Sequence, residues 1–68
     1  MESFGEIIKY VRTSKNMSYV KLSKFSGISI RQIQKIEKSD IVERKLYTLE
    51  SLSNALGVNL VEYALVFS

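Results

Sequence analysis

Residues 17–38 read MSYVKLSKFSGISIRQIQKIEK, and the fold turns on how this stretch is punctuated. Ser18 can cap a helix, because a serine hydroxyl accepts a hydrogen bond from a backbone N–H left open in the first turn. Met17 before it and Leu22 after it stand at the two positions of a hydrophobic staple. Gly27 is the expected end of that helix, since glycine takes the left-handed closing conformation without strain. Only Ile28 then separates Gly27 from a second cap, Ser29. Ser29 with Gln32 has the capping-box pattern, and Ile28 with Ile33 makes a second staple. The spacing predicts two short helices joined by Ser26-Gly27-Ile28. The first carries Leu22 and Phe25 as its apolar residues, with Ser23 small beside them. The second turns Ile33 and Ile36 inward. Arg31, Gln34, Lys35 and Lys38 fall at i, i+3, i+4 and i+7, so this helix has a basic polar face opposite its apolar one.

Working outward, the rest of the chain is also helical. Ser3 with Glu6 is a capping box, and Phe4, Ile7, Ile8 and Val11 form one apolar stripe ending near Thr13. Ser14 to Asn16 is a turn. Ser39 to Lys45 reads as a loop. A fourth helix carries Leu46, Leu49, Leu52, Ala55 and Leu56 and closes at Gly57. Asn59 and Glu62 can cap a last helix whose core residues are Leu60, Tyr63, Ala64 and Phe67. Val58 to Phe67 contains β-branched residues, but the capping pair and the spacing favour helix over strand. The expectation is an all-α, compact five-helix bundle in a single domain, residues 1–68.

Composition narrows the chemistry. The chain has 68 residues and no Cys, His, Trp or Pro. A domain this small buries only about 60% of its unfolded surface. Without Cys or His, the sequence offers no disulfide framework, zinc finger, thiol nucleophile or imidazole base. The carboxylates are scattered and no glycine loop suits a phosphate, so no catalysis, cofactor or metal is expected. An apolar share of 46% is too high for disorder. No apolar run approaches the ~20 residues of a membrane span. Met1 to Tyr10 mixes Glu2, Glu6 and Lys9 among apolar residues, unlike a signal peptide. The expected location is the cytoplasm, on the nucleoid when bound to DNA.

The net charge is +3, but it is unevenly placed. From Lys9 to Lys38 there are eight basic residues against Glu37 alone, a balance of +7; the segments on either side each carry −2. Such a block suits a polyanion-facing surface. It also suits a solvated face chosen for solubility, and charge alone does not separate the two.

Residues 18–38 meet the demands of a helix-turn-helix. Ser23 is small enough for a close helix crossing, Gly27 can turn left-handed, and Ile28 can pin the turn to the core. Ser29, Arg31 and Gln34 offer polar groups near the N-terminus of the second helix, where a major groove would receive it. The groove is ~12 Å wide and a helix ~10–12 Å across. Here the sequence resembles the lambda-repressor-like, Cro/XRE family of bacterial and phage regulators. That family's pattern is roughly Leu-Thr-Gln-x-x-Leu-Ala-x-x-x-Gly-Val-Ser-x-x-x-Ile-x-x-Ile-Glu, against MSYVKLSKFSGISIRQIQKIE at 17–37. The resemblance continues at 48–60, where TLESLSNALGVNL is similar to the family's Thr-Leu-x-x-Leu-x-x-Ala-Leu-Gly-Val-x-Leu.

The resemblance implies a sequence-specific, DNA-binding transcriptional regulator, most simply a repressor of bacterial, phage or mobile-element origin. Arg12 and Glu37 match an internal salt bridge; the other reading is a free surface pair. Ile30, Arg31, Gln34 and Lys35 match recognition-helix positions that reach base edges. Arg31 suits guanine O6 and N7, Gln34 suits adenine N6 and N7, and Ile30 suits a thymine methyl. Arg31 can instead hold a phosphate, and Ile30 can instead pack inside the domain. Lys35 and Lys38, flexible point charges, suit phosphates better than bases. Ser18, Tyr19, Ser29, Arg44 and Lys45 complete the expected phosphate contacts, with the N-terminus of the second helix favouring an anion. Four departures touch this picture. Tyr19 stands where the family has Gln, Ser23 where it has Ala, and Lys38-Ser39 where it has Asn-Gly. The loop to the fourth helix is one residue longer and lacks the common Pro.

The last helix leaves Val61, Leu65 and Val66 apolar and outward, which suggests a partner surface. Relatives dimerise near this end, placing two recognition helices roughly 34 Å apart on double-stranded DNA. The expected assembly is a two-fold homodimer; a partner protein or effector domain is the other occupant considered. The alternative function is a protein-interaction module, an antitoxin-like or anti-regulator bundle whose main contact is a protein made through the apolar C-terminal helix. Salt separates the two, because DNA affinity falls with salt by about −0.9 log units per phosphate per log unit, and an apolar interface barely responds.

Overall fold

Each predicted start signal lies at a helix start in the computed structural model, which describes residues 3–39 and 42–67. The helices are α1 (Phe4–Ser14), α2 (Tyr19–Ser26), α3 (Ile30–Lys38), α4 (Leu46–Leu56) and α5 (Leu60–Phe67), with no strand among the described residues. The Ser3–Glu6 capping box is formed in both directions. Ser18 Oγ accepts from the Lys21 N–H at 3.1 Å, and Ser29 Oγ from the Gln32 N–H at 3.2 Å. Asn59 Oδ1 accepts from the Glu62 N–H at 3.1 Å at the head of α5. α4 differs, since Lys45 precedes it and supplies no side-chain cap. Glu43 bends back instead, its Oε1 accepting from the N–H groups of both Arg44 and Lys45 at 2.9 Å. Of the expected loop, Asp40 and Ile41 lie outside the described residues.

Both staples close. Met17 and Leu22 are buried, as are Ile28 and Ile33. With Phe4, Ile8, Ile36, Leu49, Leu52, Leu56, Leu60 and Ala64 they form one core. Burying each large side chain contributes about 1.5–3 kcal/mol before chain entropy is set against it. α1 packs on α3, α2 on both α3 and α4, and α4 on α5. Ser53 fastens the α4–α5 corner: its Oγ donates to the Leu49 carbonyl oxygen at 2.6 Å and accepts from the Leu60 N–H at 3.0 Å.

Two glycines act for different reasons. Gly27 ends α2 at φ 75°, the left-handed conformation the turn requires. Gly5 is helical, and a methyl group there would overlap the carbonyl oxygens of Ile36 and Glu37. The missing side chain therefore sets how closely α1 approaches the end of α3.

Four residues lie otherwise than expected, the first being Leu46, which is 57% exposed at the start of α4. Phe25 is 61% exposed, and Ser26 is buried in its stead with its Oγ accepting from the Ile28 N–H at 3.1 Å. Ser26 stands one helical turn from the buried Leu22, which sets the inward line of α2 and leaves Phe25 to its side. Tyr63, expected in the core, is exposed, and Val61, expected outside, is half-buried against the core. In a helix these two residues flank the Leu60–Ala64 stripe at about 80° on either side, so periodicity cannot rank them and the neighbouring helices decide. The expected core role of Phe67 concerns a side chain outside those described.

Candidate nucleic-acid interface

α3 separates its residues by side. Ile33 is fully buried and Ile36 nearly so, whereas Arg31, Gln32, Lys35 and Lys38 are exposed and Gln34 is half-buried. At about 100° per residue, Arg31, Lys35 and Lys38 share one line along the helix. Ile30 is 37% exposed, midway between its two expected roles, at the start of α3. The result is a cationic ridge on a helix anchored from behind by isoleucines. Cations on such a ridge can hold phosphates, and Arg31 has the planar fork that matches a guanine edge.

The other expected phosphate residues occupy helix starts and the loop. Ser18 and Ser29 are exposed N-caps of α2 and α3. Arg44 and Lys45 are exposed immediately before α4. Lys21 and Lys24 add two exposed cations on α2, with Lys21 Nζ 5.8 Å from the centre of the exposed Phe25 ring.

Behind this surface lies an ionic cluster. Arg12 Nε donates to Glu37 Oε2 at 2.7 Å and its Nη2 to Oε1 at 3.3 Å, with side-chain exposures of 8% and 2%. Arg12 Nη1 donates to the Met17 carbonyl oxygen at 2.8 Å. The hydrogen bonds to Glu37, against the cost of burial, hold the guanidinium charged above the ordinary arginine range. The pair is internal, so neither residue is offered to a ligand.

Tyr19 joins this cluster. Its hydroxyl donates to Glu37 Oε1 at 2.8 Å, and the Arg12 Cζ stands 4.0 Å from its ring centre. The bond to Glu37, then burial, raises the phenol above the usual tyrosine range and keeps it a donor. The hydroxyl that would make the phosphate contact expected of Tyr19 is thus bonded to a buried carboxylate. The sequence marks Tyr19 as a departure from the family pattern and as a phosphate contact, not as a partner of Glu37. The signal that could have found its partner is its place two residues from Met17 and beside an expected buried Arg–Glu pair.

On α5, Leu65 is 73% and Val66 76% exposed, and Tyr63, also exposed, borders the same hollow as Val66. A hollow of about 390 Å³ is lined by Val58, Asn59, Glu62, Tyr63 and Val66. Among the described residues no carboxylate group is clustered to hold a metal ion, and no helix is long and apolar enough to cross a membrane.

A family model described as helix-turn-helix matches residues 8–63, which takes in the Ser18 and Ser29 caps, the turn, the ridge and the first half of α5. No curated protein and no solved structure matches the chain significantly.

Proposed function

The chain belongs to the lambda-repressor-like, Cro/XRE helix-turn-helix family of DNA-binding regulators, and from that premise we propose that it is a sequence-specific repressor that lays α3 in the major groove of its operator. The observation that carries this reading is the two-sidedness of α3: Ile33 and Ile36 are inside while Arg31, Lys35 and Lys38 stand in solvent. Arg31 reads guanine through O6 and N7, Gln34 pairs with adenine, and Ile30 meets a thymine methyl. Lys35 works beside them from the same face and, with Lys38, neutralises phosphates. The capped starts of α2 and α3, at Ser18 and Ser29, each place a positive helix end and backbone N–H groups toward a phosphate. Arg44 and Lys45 add cations from the loop before α4.

Two copies bind as a two-fold dimer through α5, where Leu65, Val66 and the exposed Tyr63 supply the apolar surface; Val61 contributes only its outer edge. Pairing puts two copies of α3 about 34 Å apart, one turn of DNA. The bound dimer then covers promoter DNA and excludes polymerase.

Selecting bound duplexes from a random-sequence pool tests the reading directly. The expected product is a two-fold symmetric site with half-sites about one helical turn apart, bound with a steep salt dependence of about −0.9 per phosphate contacted. A pool that yields no enriched sequence, or an affinity indifferent to salt, overturns it.

A further inference from the structure

Tyr19 lies in the first turn of α2, next to the Ser18 cap, yet its side chain serves the far end of α3. The residues on both sides of Ser18 are held by the same buried pair. Met17 is held through its carbonyl oxygen, which accepts from Arg12. Tyr19 is held through its hydroxyl on Glu37 and its ring beneath Arg12. Arg12 comes from α1 and Glu37 from α3. Three helices therefore meet at one cluster, and the exposed serine between the two held residues has little freedom of its own.

We propose that Tyr19 is a positioning residue for DNA binding: by bonding Glu37 and lying under Arg12 it fixes the N-terminal turn of α2 against α3, so that the phosphate met by that turn and the bases read by α3 are engaged in one register. This rests on the DNA-binding reading given above. Its physical basis is general. A hydrogen bond to a charged carboxylate is stronger than one between neutral groups, and a guanidinium stacked on an aromatic face adds attraction. Little solvent screens either interaction here, since Glu37 and Arg12 are both buried. A contact group held in place beforehand loses less freedom on binding, so a rigid α2 start binds its phosphate more tightly than a loose one. Tyr19 thus affects DNA without touching it. A direct phosphate contact would need the hydroxyl to leave Glu37 and give up a bond to a buried charge.

Tyr19→Phe is the decisive variant, because it keeps the ring beneath Arg12 and removes only the hydroxyl. The probe is the duplex that the wild-type chain selects from a random pool, together with copies in which single phosphates are replaced by neutral methylphosphonates. At a temperature where both proteins are fully folded, Tyr19→Phe is expected to bind the unmodified duplex about three- to ten-fold more weakly, the range one hydrogen bond is worth. The loss is confined to one phosphate. In the wild type, neutralising the phosphate at the α2 start weakens binding; in Tyr19→Phe the same replacement weakens it less, while replacements under Lys35 and Lys38 act equally in both. The carbon-13 signal of the Tyr19 phenol, assigned by its absence in the variant, stays in place when DNA is added. Wild-type affinity in Tyr19→Phe overturns the proposal, and so does a loss spread evenly over all phosphates. A phenol signal that moves on adding DNA overturns it in favour of direct contact. A wild-type chain that selects no duplex overturns the DNA-binding reading, and this inference with it.

Discussion

α3 and α5 are nearly the same length, nine and eight residues, yet they treat their surfaces differently. α3 hides Ile33 and Ile36 and gives solvent its cations. α5 hides Leu60 and Ala64 and still gives solvent Tyr63, Leu65 and Val66. A helix whose sides differ in polarity has its orientation set by its own sequence, because only one rotation avoids burying charge. A helix apolar on most sides can rotate at small cost, so its neighbours choose the inner face. The surplus apolar surface then faces outward, where a second copy can cover it. In this molecule the first kind of helix is the one proposed to carry recognition, and the second the one proposed to carry assembly.

The sharpest way to break this contrast is at the anchored side of α3. Glu37→Ala leaves Arg12 buried without its partner and is expected to cost about 3–5 kcal/mol of stability, read by denaturant unfolding. Ile33→Ala opens a core cavity and is expected to cost about 2–5 kcal/mol, with the base preference of the molecules that remain folded unchanged. The solvent side of the same helix should behave oppositely. Arg31→Ala is expected to cost about 1–3 kcal/mol of binding to the selected site and relax preference at one base pair, while thermal unfolding barely shifts. If the cognate affinity of Arg31→Ala equals that of the wild type, the base-reading role assigned to Arg31 is wrong. On α5, Leu65→Ser should move monomer stability by no more than about 0.5 kcal/mol and yet lower the dimer fraction seen in sedimentation. A wild-type chain that sediments as a monomer at high concentration, with and without its site, removes the contrast's second half.

A smaller effect sharpens the role of the cluster behind α3. Tyr19 has its phenol raised in the folded chain, chiefly by the bond to Glu37. A raised folded value means the contribution to stability is complete below the ordinary tyrosine value of about 10 and fades as pH climbs through the folded value. The wild-type chain should therefore lose more stability than Tyr19→Phe on passing above that range, as followed by thermal melts across alkaline pH. Equal losses in the two proteins would separate Tyr19 from the stability of the cluster.

Much of the fold was legible because its signals are local. Ser3, Ser18 and Ser29 bond to N–H groups three residues on, and Gly27 takes its left-handed turn from its own missing side chain. The outward ridge of Arg31, Lys35 and Lys38 was equally legible, since spacing and charge suffice. Tyr19 was not, because its partner is 18 residues away and nothing in α2 alone distinguishes a tyrosine aimed inward from one aimed at DNA. Phe25 escaped for a related reason: polarity favours the phenylalanine as core, but the rotation of α2 set by packing against α3 and α4 buries Ser26 and leaves Phe25 in solvent.

The sequence by itself determined five helices, the start caps of four of them, the turn at Gly27 and the polar face of α3, because each depends on hydrogen bonds or periodicity within a few residues. The tertiary structure alone decided that Gly5 lies against the carbonyls ending α3, that Tyr19 closes on Arg12 and Glu37, and that Tyr63 rather than Val61 faces out. Each of those depends on distances between segments far apart in the chain, fixed only when the helices pack together.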